Sequence, residues 1–184
     1  MPSTAKSPFL MSMALAAALV AVPALAQTKP RLVPDFGAYH EVPDPFEKPD
    51  PTTRYKVVFD VSQTTRTPGV VHQGLERVAR MVNLLNRHGV KLQPGDIIVT
   101  MHGPAAKTAL TAPAFAKRFK DEANPNAELI KQLTAAGASV RLCGQSMVSA
   151  GFAHDEINPD VKVDIAAIMT MATYQLRGYA IIQD

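Results

Sequence analysis

The chain has 184 residues, no tryptophan and one cysteine, Cys143. A lone cysteine excludes an internal disulfide scaffold and any zinc site built from several thiolates. Aromatic residues make up only 6% of the chain, too few for an aromatic-lined carbohydrate or base-stacking surface. Charge is thin as well: 19% charged residues and a formal net charge of +3. No Lys/Arg stripe is interleaved with aromatics, so no nucleic-acid partner is expected. The phosphate-loop, dinucleotide and nucleophile-elbow patterns are all missing. What remains is 47% hydrophobic, a globular composition with room for one ordinary domain.

Residues 1–26 read as an export signal. Lys6 gives a weak positive start, and residues 9–22 form an apolar run. Ala24-Leu25-Ala26 supplies a small-residue cleavage site before Gln27. The run is short of the roughly 20 residues that a spanning helix needs. The mature chain is therefore expected to be periplasmic, with no membrane span after cleavage. Residues 27–53 follow as a Pro-rich arm or linker, carrying Pro30, Pro34, Pro43, Pro45, Pro49 and Pro51. Each proline removes a backbone donor and favours extended geometry before it. The plain reading is a disordered arm; the sharper one has Phe36, Tyr39 and Phe46 anchoring it on a neighbouring subunit.

Residues 54–184 alternate strand and helix patterns. Residues 55–61 (YKVVFDV) suit a strand buried on both faces. Val71, Leu75, Val78, Val82 and Leu85 recur at helical spacing, and Gly89 is placed to end that helix. Residues 96–101 (DIIVTM) predict a second strand, and Gly103-Pro104 opens a helix through Leu110. A short helical excursion is expected over 111–122. Asn124-Pro125 reads as the start of a further helix carrying Leu129, Ile130 and Leu133. Residues 138–142 predict the third strand, 160–164 a short fourth and 179–182 the last. Ile165, Ile168, Met169, Ala172 and Leu176 form the stripe of the final helix. This alternation predicts a mainly parallel sheet of about five strands with helices on both faces.

In such sheets ligands bind beyond the carboxyl ends of the strands. Three segments qualify: Ser62 and the hydroxyl-rich residues after it, His102-Gly103, and Cys143-Gly144-Gln145-Ser146. Cys143 directly follows a strand pattern, and a helix could begin just after it. Free N–H groups at a helix start stabilise a thiolate and lower its pKa; the alternative is a buried, structural thiol. His102 is a candidate for proton transfer or for pairing with the thiolate, or else a turn histidine bonded to backbone. His154, with Asp155 and Glu156, lies on a loop that could cover the thiol. No His partner stands at metal-ligand spacing, so no metal is expected. A soft copper set of Met101, His102, Cys143 and Met147 is the remaining option, with core-filling methionines the simpler one. Residues 62–67 are similar to a flavodoxin phosphate loop, but only Gly69 follows and no tryptophan is present to sandwich a flavin. No cofactor is expected. Asp60, Asp96 and Asp164 read as caps and turns.

The order YKVVFDV, Asn86-Arg87-His88-Gly89-Val90, His102-Gly103-Pro104, residues 133–138 (LTAAGA), Val140-Arg141-Leu142-Cys143 and Gly178-Tyr179-Ala180-Ile181-Ile182 resembles the DsrE/DsrF-like family of small sulfur-relay proteins. The resemblance covers residues 54–184. It implies a flavodoxin-like fold and a homo-oligomer, trimer or hexamer. It also implies a sulfurtransferase-like role, in which Cys143 holds sulfane sulfur as a persulfide between a donor and an acceptor protein. His102, Gly103, Gly144, Gln145, Ser146 and Ser62 are the supporting candidates. The alternative is a non-catalytic oligomeric binding module. The export signal and the Pro-rich arm depart from the cytoplasmic relay pattern and leave the usual partners open.

Overall fold

The computed structural model describes residue 1 and residues 29–64, 69–120 and 123–184. Apart from Met1, the expected leader lies outside the described residues, as do residues 65–67 of the hydroxyl-rich loop. Among the described residues no helix is long and apolar enough to cross a membrane.

The strands are β1 (Val57–Val61), β2 (Ile97–Met101), β3 (Ser139–Cys143), β4 (Lys162–Asp164) and β5 (Ala180–Gln183). They form one sheet in the order β4-β3-β2-β1-β5, parallel at every pairing. The helices are α1 (Gln73–Arg87), α2 (Ala112–Arg118), α3 (Ala127–Ala135), α4 (Gly144–Ser149) and α5 (Ala167–Leu176). Because all strands run the same way, all their carboxyl ends meet at one edge, as the alternation predicts.

The two faces of the sheet differ in chemistry. β1 and β2 are buried at every position. Val57, Phe59, Val61, Ile97, Val99, Val140 and Leu142 pack on one face against Leu75, Val78 and Val82 of α1 and Leu129, Ile130 and Leu133 of α3. Each such side chain contributes about 1.5–3 kcal/mol by leaving water. The alternate residues point the other way: Asp60, Thr100 and Arg141 share one row across the strands. Helix α5 covers this polar face. Arg141 donates to both Asp164 oxygens at 3.1 Å and to the Tyr174 hydroxyl at 2.7 Å, and the Thr170 hydroxyl donates to Asp164 at 2.6 Å.

Three expectations are corrected here. The last helix does not bury its apolar stripe: Ile168, Met169 and Leu176 are exposed, as is Ile165 before it. It turns Ala167 and Thr170 inward because the face beneath it is polar. Helix α3 starts at Ala127, not at Asn124-Pro125. The Asn124 side chain is drawn instead to the Thr108 and Leu110 carbonyls, and its oxygen accepts the Asn126 N–H. The segment after His102 is a 3-10 helix, Gly103–Ala109.

The arm lies on its own domain. Val33 is fully buried and Phe36 partly so. Asn83 of α1, 1% exposed, accepts the Val33 N–H at 2.9 Å and donates to the Val33 and Phe36 carbonyls at 3.0 Å. Gly37 (φ +65) presses against α1, where a Cβ would overlap the backbone at Ala79, and its N–H donates to Glu76 at 2.7 Å. Phe46, the third expected anchor, is fully exposed. Asn83→Ala leaves the buried Val33 amide and carbonyl unpaired. It is expected to lower stability by about 1–3 kcal/mol and to open residues 29–48 to limited proteolysis. Unchanged melting and cleavage patterns would show that the arm is held elsewhere.

Candidate functional site

Cys143 closes β3 in extended geometry (φ −64, ψ 117) and stands immediately before α4. Met101 and Leu142 are register partners within the main core. Alternation therefore turns Cys143, one residue on, to the opposite, polar face. This separates Met101 from the thiol; its sulfur accepts the Thr108 hydroxyl at 3.0 Å. The copper set of the sequence reading is not assembled, and among the described residues no cluster of three His, Cys, Asp or Glu forms a metal site.

Cys143 is 5% exposed. Burial pushes its pKa up. The Ser146 hydroxyl and the backbone N–H groups of Ala167, Ser146 and Gln145 pull it down, and the balance leaves it below the ordinary thiol value. Two of these N–H groups belong to the first turn of α4 and one to the first turn of α5, so both helix starts favour the thiolate. The Ser146 oxygen in turn accepts the Gly103 N–H at 3.0 Å, which ties the loop after β2 to the thiol. Gly103 has φ +53, a left-handed conformation natural to glycine.

Gly144 makes the convergence possible. A Cβ there would stand 2.7 Å from the Asp164 carbonyl oxygen and 3.3 Å from that of Ile165. Only a bare backbone lets the β4–α5 loop come close enough to deliver the Ala167 N–H. The Gln145 amide fastens the same loop by donating to the Ile165 carbonyl at 3.3 Å.

His102 follows Met101 just as Cys143 follows Leu142, so the two occupy matching positions at adjacent strand ends. Its Nε2 lies 2.6 Å from Asp60 Oδ1. The ring is thus oriented by a carboxylate rather than by backbone. Asp60 is a site residue that sequence reasoning missed by treating it as a cap. The signal was present: an acid inside a strand buried on both faces needs a partner. Asp164 was missed in the same way, whereas Asp96 does sit in a turn, accepting the Gln93 N–H. Ser62 borders Gly103 through its carbonyl, but its N–H and hydroxyl are directed to the Asp184 carboxylate at 3.2 and 3.4 Å. The His154 loop is fastened to α2 instead: Arg118 holds Glu156 at 2.6 Å and the Gly151 carbonyl at 2.7 Å. An open cavity of about 410 Å³ is lined by Gly103, Gln145, Ser146, Ser149 and Ala150; Cys143 itself does not line it.

Fold and site together define an open parallel α/β protein with a buried cysteine at the carboxyl edge of its sheet. The model of the DsrE/DsrF-like family matches residues 49–183, and the chain belongs to that family. No curated protein matches it. Among solved structures, the ychN protein from E. coli is 15% identical with a TM-score of 0.52, covering 71% of this chain and 99% of its own. The protein of unknown function MTH1491 from Methanobacterium thermoautotrophicum is 18% identical over the same shares, with a TM-score of 0.49. The ychN likeness supports the fold alone.

Two substitutions test the cradle. Ser146→Ala removes a donor that favours thiolate, so the pH midpoint of Cys143 alkylation moves upward; an unchanged midpoint would remove Ser146 from the cradle. Because the folded thiol titrates below its unfolded value, its contribution to stability is present above the unfolded pKa and fades as pH falls through the folded one. Gly144→Ala drives the Asp164 carbonyl away. It is expected to cost about 1–3 kcal/mol, in the range of overpacking, and to raise the same alkylation midpoint. A stable variant with an unaltered midpoint would show that the close approach is not required.

Proposed function

We propose that the chain is an exported, periplasmic sulfur carrier in which Cys143 holds one sulfane sulfur as a persulfide. The observation that carries this reading is the place of Cys143 at a strand end, immediately before α4 and beside the loop that enters α5, where the Ser146 hydroxyl and nearby N–H groups hold its pKa below the ordinary thiol value. A moderately lowered pKa is also what sulfur exchange favours, since nucleophilicity falls as pKa falls further. The DsrE/DsrF-like match is consistent with the reading.

The chemistry needs no oxidant. Cys143 thiolate attacks the outer sulfur of a donor persulfide. The donor's S–S bond breaks as the new one forms, and the donor leaves as a thiolate. The proton that the outer sulfur carried passes to that thiolate, because a persulfide is the stronger acid of the two. In this reading His102, held by Asp60 at 2.6 Å, moves it. Delivery to an acceptor thiol runs the same exchange in reverse. The groups that favour the thiolate also favour an ionised persulfide.

Self-association belongs to the same proposal. The apolar stripe of α5, with Ile168 71%, Met169 55% and Leu176 90% exposed, supports a homo-oligomer, trimer or hexamer, better than a free monomer.

Intact mass of the reduced protein before and after polysulfide tests the carrier. One added sulfur is expected on wild type, removable by dithiothreitol and absent from Cys143→Ser. No gain, together with a thiol closed to alkylation, would make Cys143 structural and leave a non-catalytic binding module. His102→Gln is expected to slow sulfur uptake by about a hundredfold, the low end of general acid–base effects, with alkylation of the thiol unaltered. Equal uptake rates would take His102 out of the mechanism.

A further inference from the structure

A second feature stands away from the thiol, on the α1 side of the sheet. Strand β5 is an edge strand, and among the described residues no helix covers its end of that face. Between α1, β1 and β5 an apolar cavity of about 330 Å³ is lined by Tyr55, Phe59, Met81, Leu84, Leu85 and Ile182. The apolar stems of the exposed Arg77 and Arg80 complete the lining, Arg80 Nε donating to the Ala38 carbonyl at 2.9 Å, and Pro49 of the arm closes one wall. Residues 42–47 of the arm carry the opposite surface. Phe46 is fully exposed and Val42 is 65% exposed, and Phe46 stands in the sequence Asp44-Pro45-Phe46-Glu47. An acid-flanked aromatic and an apolar cavity bordered by two exposed arginines are complementary in hydrophobicity and charge.

Within one copy the two do not meet. Arg87 holds Glu41 at 2.8 Å, and the Asp50 N–H donates to the Tyr55 hydroxyl at 3.0 Å, so the segment is tied at both ends. Between the ties, Asp44 takes a left-handed φ of +44, and Pro43, Pro45 and Pro49 stiffen the chain. This backbone carries Phe46 out into solvent while its own Pro49 walls the cavity.

We infer that Phe46 of one copy docks into the α1–β1–β5 cavity of a second copy, with Asp44 and Glu47 facing Arg77 and Arg80. Reciprocal insertion gives a twofold contact that is closed and self-complementary. Each Phe brings about 150–250 Å² of burial, enough to serve as the anchor of the contact. The contact is separate from the α5 stripe and independent of whether Cys143 carries sulfur.

The test places a photo-crosslinking benzoylphenylalanine at position 46 in protein purified from the full chain. Material labelled with nitrogen-15 is mixed with unlabelled material before irradiation. Docking between copies yields crosslinked dimers of mixed label, with the partner peptide mapping to residues 77–85. Arg77→Glu lowers their yield by up to about fivefold, the ceiling for an exposed ion pair, and adding Glu47→Arg restores it. Crosslinks within single chains only would mean that Phe46 folds back into its own cavity and would overturn the inference. So would mixed dimers mapping to α5, or no crosslink at all.

Discussion

The site depends on one close approach: the Gly144 backbone against the carbonyl of Asp164. β3 and β4 are register partners at Cys143 and Asp164, so the end of one strand faces the end of the other. Any side chain at 144 would wedge them apart. With none there, the chain leaving β4 enters α5 directly over the thiol. The electrostatics of Cys143 therefore follow from a steric fact about its neighbour. The sulfur sits where water is scarce, and fixed N–H dipoles replace the hydration a thiolate would otherwise require.

The same approach explains the polar face of the sheet. Asp164 ends β4, accepts Arg141 and Thr170, and precedes the loop that Gly144 admits. Arg141 also reaches Tyr174 farther along α5. One network thus clamps the helix that donates to the thiol, and an apolar contact would slide more easily than this directional set of bonds. The clamp leaves only Ala167 and Thr170 of α5 buried, and Ile168, Met169 and Leu176 point outward. In the same layer, Thr100 lies between Asp60 and Arg141 with its buried hydroxyl unpaired, at a cost of about 1–3 kcal/mol. The layer under α5 thus sets a row of polar side chains beside the buried Val58 and Ile98.

The central strands, the helix over Val71 to Leu85 and the position of Cys143 at a strand end were legible because each rests on local periodicity or chain order. Parallel topology followed from the helical crossovers. The cradle was only half legible. Donors from Gln145 and Ser146 are near neighbours of Cys143 in sequence, but the Ala167 N–H is a backbone group from a different element, and no side chain marks it. Asp60 left a trace as an acid in an apolar strand, yet its partner His102 lies 42 residues away, a distance that no spacing rule spans. Reading Ile165, Ile168, Met169, Ala172 and Leu176 as an inward stripe failed because periodicity shows that a helix has an apolar face, not which way the face turns.

The arm shows the same limit from the other side. Its prolines suggested disorder, but a proline-rich strand loses little entropy on docking and needs only a few fixed donors to hold it. Asn83 supplies them from inside α1, where an asparagine in the buried stripe is otherwise out of place. Docking the first half of the arm then has a consequence for the second half. With Val33 to Gly37 seated on α1 and Asp50 tied to Tyr55, residues 42–47 form a stiff bridge across the surface. They can neither join the core nor drift away from it. An aromatic held on such a bridge is presented rather than merely left exposed, and a presented aromatic beside an uncovered edge strand is a surface built to meet another molecule.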